Sequence, residues 1–208
     1  MMKLDRAYSA VLFDMDGTLL DSRVVIERIL TEWAVANQVD PDALLAVSHG
    51  RRTIDTLKDF ANAGTDCEAE AAKIEAAETA DVRGIIPVPG AVELLSRLPP
   101  KRWAIVTSAG RDLAIKRLSA AGLPIPEVLV TAEDIEHGKP DPSGYHLAAK
   151  KLGTTTDQCL VFEDAPAGIQ AGMNARSDVI AIGFASPTNT KPACPLISDF
   201  EAIEFRLT

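Results

Sequence analysis

The stretch Val11 to Ser22 reads V-L-F-D-M-D-G-T-L-L-D-S. Ala10, Val11, Leu12 and Phe13 form a short apolar run rich in strand-favouring side chains. Such a run suits a strand buried on both faces, as in a parallel sheet. It ends abruptly at Asp14 and Asp16. Residues two apart on an extended chain point the same way, so the two carboxylates are expected to share one place. Like charges that close need a cation or a proton. A hard divalent cation held by oxygens, such as Mg²⁺, is the simplest relief. Gly17 lets the chain turn with positive φ or lets a ligand approach closely, and Thr18 adds a hydroxyl beside the turn. On this stretch alone, an ordinary acidic turn after a strand remains the competing reading.

The rest of the chain decides. Its 208 residues, 47% hydrophobic and 25% charged, suffice for one sizeable domain or a domain with an insertion. A net charge of −9 argues against binding nucleic acid or an anionic membrane through the general field. An anionic substrate would have to be met by local cations. Cys67, Cys159 and Cys194 are odd in number and widely spaced, with no disulfide framework or metal-ligand spacing. With no visible secretory signal and no apolar run of spanning length, the expectation is a soluble, cytoplasmic protein.

Between Ser22 and about Val82 the periodicity is helical. Ser22 is placed to cap a helix over Arg23 to Asn37. Pro41 opens a second helix, Arg51-Arg52-Thr53 starts a third, and Glu68 to Ala80 reads as a long, polar, exposed fourth. From Gly84 the pattern changes to alternation. Strands are expected at Trp103 to Val106, Val128 to Val130, Cys159 to Phe162 and Val179 to Ile182, with a short sixth near Ile197. Helices lie between them. This order predicts an α/β fold, a Rossmann-like doubly wound parallel sheet. Residues 1–20 and 84–208 would form its core, and residues 21–83 a helical cap inserted after the first strand.

Ligands in such sheets bind at the carboxyl ends of the strands. Those ends carry Asp14 and Asp16, Thr107 and Ser108, and Glu163 and Asp164. Lys139 follows the third strand. Carboxylate or carbonyl oxygens can hold Mg²⁺. Lys139 can neutralise a phosphoryl group, and Thr107 and Ser108 can donate hydrogen bonds to its oxygens. One Asp can attack phosphorus, and the other can serve as general acid and then base. Taken singly, Lys139 could be a solvated loop lysine, Thr107-Ser108 a helix cap and Glu163-Asp164 a turn.

D-M-D-G-T, V-T-S-A-G-R-D, G-K-P-D-P and V-F-E-D-A-P-A-G together resemble the four motifs of the haloacid dehalogenase-like superfamily. The resemblance implies a nucleophile at Asp14 and an acid/base at Asp16. It implies Mg²⁺ on Asp14, the backbone carbonyl of Asp16 and Asp164, with Glu163 close by. Phosphate would be held by Thr107 or Ser108 and by Lys139; Thr107 is favoured for the direct contact. Substrate contacts would extend to Thr18, Ser108 and Ala109. The stretch S-H-G-R-R-T-I-D resembles the cap of sugar- and polyol-phosphate phosphatases, the glycerol-phosphate and 2-deoxyglucose-6-phosphate group. It implies that His49, Arg51 and Arg52 reach the substrate. Either arginine could instead pair with Asp55 or Asp59 at helical spacing.

The expected activity is therefore a Mg²⁺-dependent phosphatase acting on a small phosphorylated sugar or polyol as a monomer. A phosphomutase similar to β-phosphoglucomutase shares every core residue. A non-catalytic binding protein on the same fold is the third reading.

Overall fold

The computed structural model describes residues 2–183 and 194–208. Its centre is a six-stranded, wholly parallel sheet in the order β6-β5-β2-β7-β8-β9. These strands are β2 (Ala10–Phe13), β5 (Trp103–Val106), β6 (Leu129–Val130), β7 (Cys159–Glu163), β8 (Asp178–Ile182) and β9 (Leu196–Ile197). Helices α5 (Ala91–Arg97), α6 (Arg111–Ala120), α7 (Ser143–Lys151) and α8 (Pro166–Asn174) connect them. The predicted doubly wound α/β fold is the observed one.

Strand periodicity explains the core. Ala10, Leu12, Ala104, Val106, Cys159 and Val161 point to one face. Val11, Phe13, Trp103, Ile105, Leu160 and Phe162 point to the other. The first face is built of smaller side chains and is packed by α7 and α8 residues such as Tyr145, Ala148 and Ala171. The second carries the aromatic residues. Phe13 and Phe162 stack with centroids 5.3 Å apart and planes 9° apart, and Phe200 meets Phe162 edge-on at 5.3 Å. The run V-L-F is thus central and buried, as its composition requires.

Helices α1 (Arg23–Ala36), α2 (Pro41–Ser48), α3 (Thr53–Phe60) and α4 (Cys67–Ala80) form one uninterrupted block. Their apolar residues Val25, Ile29, Leu44, Leu57 and Ile74 belong to the same apolar cluster as the aromatic face of the sheet. The chain leaves and re-enters the sheet region through two short strands, β3 (Leu20–Asp21) and β4 (Ile86–Pro87), which pair antiparallel. Ile86–Pro87, just past the change of pattern at Gly84, is thus half of a strand pair.

Three expectations change. Strands β1 (Met2–Tyr8) and β10 (Ile203–Leu207) pair in parallel and were not expected. Helix α4 is not simply exposed: Ile74 and Glu78 are buried, because that face meets the apolar cluster and α6. The Ser22 side chain does not cap α1. Asp21 accepts from the Arg23 N–H at 3.1 Å instead, and the Ser22 hydroxyl has another use. No helix among the described residues is long and apolar enough to cross a membrane. The three cysteines are free.

Candidate active site

The ends of β5 and β7 and the loop after β6 converge on Asp14. The Lys139 ammonium contacts Asp14 Oδ1 and lies 2.6 Å from Glu163 Oε1 and 3.2 Å from the Val106 carbonyl oxygen. Its three hydrogens therefore have three acceptors. The Tyr145 hydroxyl donates to Glu163 Oε1 at 2.5 Å. Thr18 Oγ1 donates to Asp164 Oδ1 at 3.2 Å. Asp14, Glu163 and Asp164 each offer an oxygen within 4.8 Å of the others. Lys139 is no solvated loop lysine, and Glu163 is no turn residue, since it is wholly buried at the end of β7.

The charges do not balance. Three carboxylates face one ammonium in a buried setting. Asp14 is held well above the usual carboxylate range, first by burial and then by Glu163. Asp164 is raised for the same reasons, by burial, Asp14 and Glu163. Burial opposes the charge on Lys139, but Asp14 and Glu163 overcome it and raise its pKa. Asp14 Oδ2 is buried without a hydrogen-bond partner. A buried anionic oxygen without a partner is costly. An oxygen-binding divalent cation between Asp14, Asp164 and Glu163 fits both the surplus negative charge and this orphan oxygen.

Asp16 sits apart from that cluster, which corrects the expectation that it shares one place with Asp14. Strand β2 ends at Phe13, and Gly17 turns the chain at φ +86°. A side chain at Gly17 would place its Cβ 2.1 Å from Asp164 Oδ2. The Asp16 carboxylate accepts from the Ser22 hydroxyl at 2.6 Å and pairs with Arg117 Nη1 at 3.0 Å. The strongest like-charge neighbour of Asp14 is accordingly Glu163, with Asp16 a minor one. The Asp16 carboxylate is not among the carboxylates that cluster as a candidate metal site.

The hydroxyl-bearing strand end is divided. Thr107 is buried, and its Oγ1 accepts from the Ala109 N–H at 3.1 Å. Ser108 Oγ donates to the Gly50 carbonyl oxygen at 2.9 Å, so the α2–α3 loop rests directly on this strand end. Gly50 has φ +74°, and a Cβ there would fall 2.5 Å from the Ala165 Cβ. The close approach to Ala165 thus requires glycine. Thr107, Ser108 and Ala109 all line a cavity of about 340 Å³. So do His49, Arg51 and Arg52, but Thr18 does not. Thr18 is fully buried behind Asp164 and orients that carboxylate rather than facing the cavity. Both arginines are paired: Arg51 with Asp59 at 2.7 Å, Arg52 with Asp55 at 2.6 Å. Arg52 also donates to the Glu136 carbonyl oxygen at 3.0 Å, across to the sheet side. Burial lowers the pKa of His49.

Three contributors escaped the motif reading. Tyr145 and Arg117 lie on helices that read as ordinary packing elements. Gly168 sits inside the quoted E-D-A-P-A-G motif. A Cβ on Gly168 would lie 1.9 Å from Glu163 Oε1, so the glycine makes room for that carboxylate. Gly168→Ala is expected to favour α8 by propensity yet displace Glu163. The expected result is a cation-activation midpoint raised on the order of tenfold, measured by titrating Mg²⁺ into the chelated protein.

A parallel α/β sheet with clustered carboxylates and a buried lysine at its carboxyl edge has the parts that a phosphoryl-transfer site uses. The chain belongs to the haloacid dehalogenase-like hydrolase family, whose model matches residues 8–176. It is 42% identical over 181 residues to hexitol phosphatase A of Escherichia coli (strain K12), covering 85% of this chain and 84% of that one. It is 36% identical over 190 residues to glycerol-1-phosphate phosphohydrolase 2 of Saccharomyces cerevisiae, covering 84% and 74%. A hydrolase structure from Pseudomonas syringae matches with a TM-score of 0.82 at 28% identity, covering 93% of this chain and 95% of that one.

Proposed function

We propose that this protein is a Mg²⁺-dependent phosphatase of small sugar or polyol phosphates that works through a phosphoryl group carried on Asp14. The observation that carries the reading is the convergence of Asp14, Glu163, Asp164 and Lys139 around an unpartnered Asp14 oxygen. Both curated relatives described above are named for hydrolysis of a polyol-type phosphate, which favours phosphatase over mutase. A cavity near 340 Å³ lies at the small end of ligand sites and suits a compact ester.

An Asp14 carboxylate oxygen attacks phosphorus as the bond to the ester oxygen breaks. Asp16 gives its proton to that leaving oxygen and becomes a carboxylate. It then takes a proton from a water whose oxygen attacks the phosphorus of the aspartyl phosphate. Inorganic phosphate leaves and Asp14 is regenerated. Bound Mg²⁺ would lie on Asp14, Asp164 and the Asp16 carbonyl, with Glu163 close by, and would supply charge neutralisation to the phosphoryl oxygens. Thr107 and the N–H of Ser108, both at the cavity wall, would bind the phosphoryl oxygens. Lys139, already donating to three acceptors, acts on the phosphoryl group through its charge while fixing Asp14 and Glu163. Helices α1–α4 act as a cap over residues 21–83. They exclude water and present His49, Arg51 and Arg52 to the organic part of the substrate.

The test is phosphate release from a panel of hexitol, glycerol and sugar phosphates. Activity is expected with Mg²⁺, loss after chelation, and recovery when Mg²⁺ is restored. Full turnover in chelator, or an isomerised ester without phosphate release, would overturn the reading.

A further inference from the structure

Arg117 is 2% exposed, on α6 of the sheet side. It bridges two carboxylates from different parts of the chain. Nη1 lies 3.0 Å from Asp16 Oδ1, and Nη2 lies 3.1 Å from Glu78 Oε2 of α4. Glu78 is 4% exposed. Burial pushes its carboxyl up to about 7 against the pull of Arg117. A buried bridge of this kind is a weak source of net stability. It is better suited to fixing geometry, because a planar guanidinium constrains both partners' directions. Ser22, at the entrance to α1, holds the same Asp16 oxygen at 2.6 Å. The Asp16 carboxylate is therefore gripped by Arg117 on one side and by Ser22 on the other.

We propose that Arg117, clamped by Glu78, is the positioning residue that aims the Asp16 carboxyl group at the leaving oxygen. The proposal rests on the reading of Asp16 as general acid. It makes a last-turn residue of the helical block, Glu78, part of the proton-transfer geometry although it touches no reacting atom. Arg117 also lines the cavity, and its Nε is buried without a hydrogen-bond acceptor. A direct bond from Arg117 to a substrate hydroxyl is thus the rival role, and the test separates the two.

The experiment compares kcat/KM on three esters: a hexitol phosphate, a simple alkyl phosphate without hydroxyls, and p-nitrophenyl phosphate. This ratio reports steps up to the first phosphoryl transfer, so the later water attack does not enter. Alkoxide leaving groups need a proton; p-nitrophenolate does not. Arg117→Ala is expected to lower kcat/KM on both alkyl esters on the order of 100-fold, the scale of a general acid's contribution. The aryl ester should change by less than about threefold. Glu78→Gln, nearly isosteric and less disruptive to folding, is expected to give the same pattern at about tenfold, and Arg117→Lys a partial rescue. Loss confined to the hydroxylated ester would assign Arg117 to substrate binding and overturn the proposal. Equal loss on all three, or none, would also overturn it. Wild-type protein inactive on every ester would instead strike the phosphatase reading itself.

Discussion

Asp14→Asn is expected to abolish turnover, lowering kcat by about 10⁴-fold or more, the scale seen when a nucleophile is removed. The amide keeps the shape of the carboxyl but cannot form the phosphoryl bond. The same change should leave the fold intact. Asp14 sits buried among Glu163 and Asp164, and burial holds its carboxyl above the usual range. Neutralising it relieves repulsion while Lys139 keeps Glu163 at 2.6 Å. In chelated buffer the melting temperature of Asp14→Asn should equal or exceed that of the wild type. A variant that loses activity by unfolding would show the opposite, and circular dichroism melts distinguish the two.

Lys139→Met is expected to damage both stability and activity. Removing the ammonium leaves Glu163 and Asp14 buried without a counter-charge, a change that costs about 3–5 kcal/mol. For a chain of this size that is a fall in melting temperature on the order of 10 °C. Added Mg²⁺ should recover more of the loss in this variant than it adds to the wild type, because a cation restores the missing positive charge. Equal Mg²⁺ effects on the two proteins would mean that the cation does not share the carboxylates Lys139 pairs with.

Much of the fold was legible because parallel strands buried on both faces need continuous apolar runs, and V-L-F, W-A-I-V and C-L-V-F are such runs. The carboxylates, hydroxyls and lysine were legible because they fall just past those runs. What distinguishes Asp14 from Asp16 was not. Equal facing of residues two apart holds only while the strand continues, and the strand stops at Phe13 before the positive-φ turn at Gly17. Arg117 and Tyr145 were hidden for a different reason. Each lies on a helix whose periodicity reports burial but not the partner reached across the fold. Strands β1 and β10 did carry a signal: Met2, Leu4 and Tyr8, and Ile203, Phe205 and Leu207, recur at period two. The polar residues between them, and their place at the chain ends, masked it.

The cap arginines show where sequence pattern stops short. Arg51 and Arg52 each pair with an aspartate of α3 and each line the cavity, so the pairing is observed and contact with the substrate stands as a proposal. The Arg51 pair, with Asp59 exposed, contributes little to stability, so a substrate oxygen can compete for that guanidinium at small cost; the Arg52–Asp55 pair is more buried and doubly bonded.

The central claim is that Asp14 carries the phosphoryl group. The direct measurement is rapid acid quenching of the wild-type protein during turnover of a hexitol phosphate with Mg²⁺, followed by mass analysis of the peptide spanning Val11 to Ser22. The predicted result is one added phosphoryl group, alkali-labile and located on Asp14, and absent in Asp14→Asn. Active protein whose Asp14 peptide stays unmodified throughout turnover, or a phosphoryl group found on another residue, would contradict it.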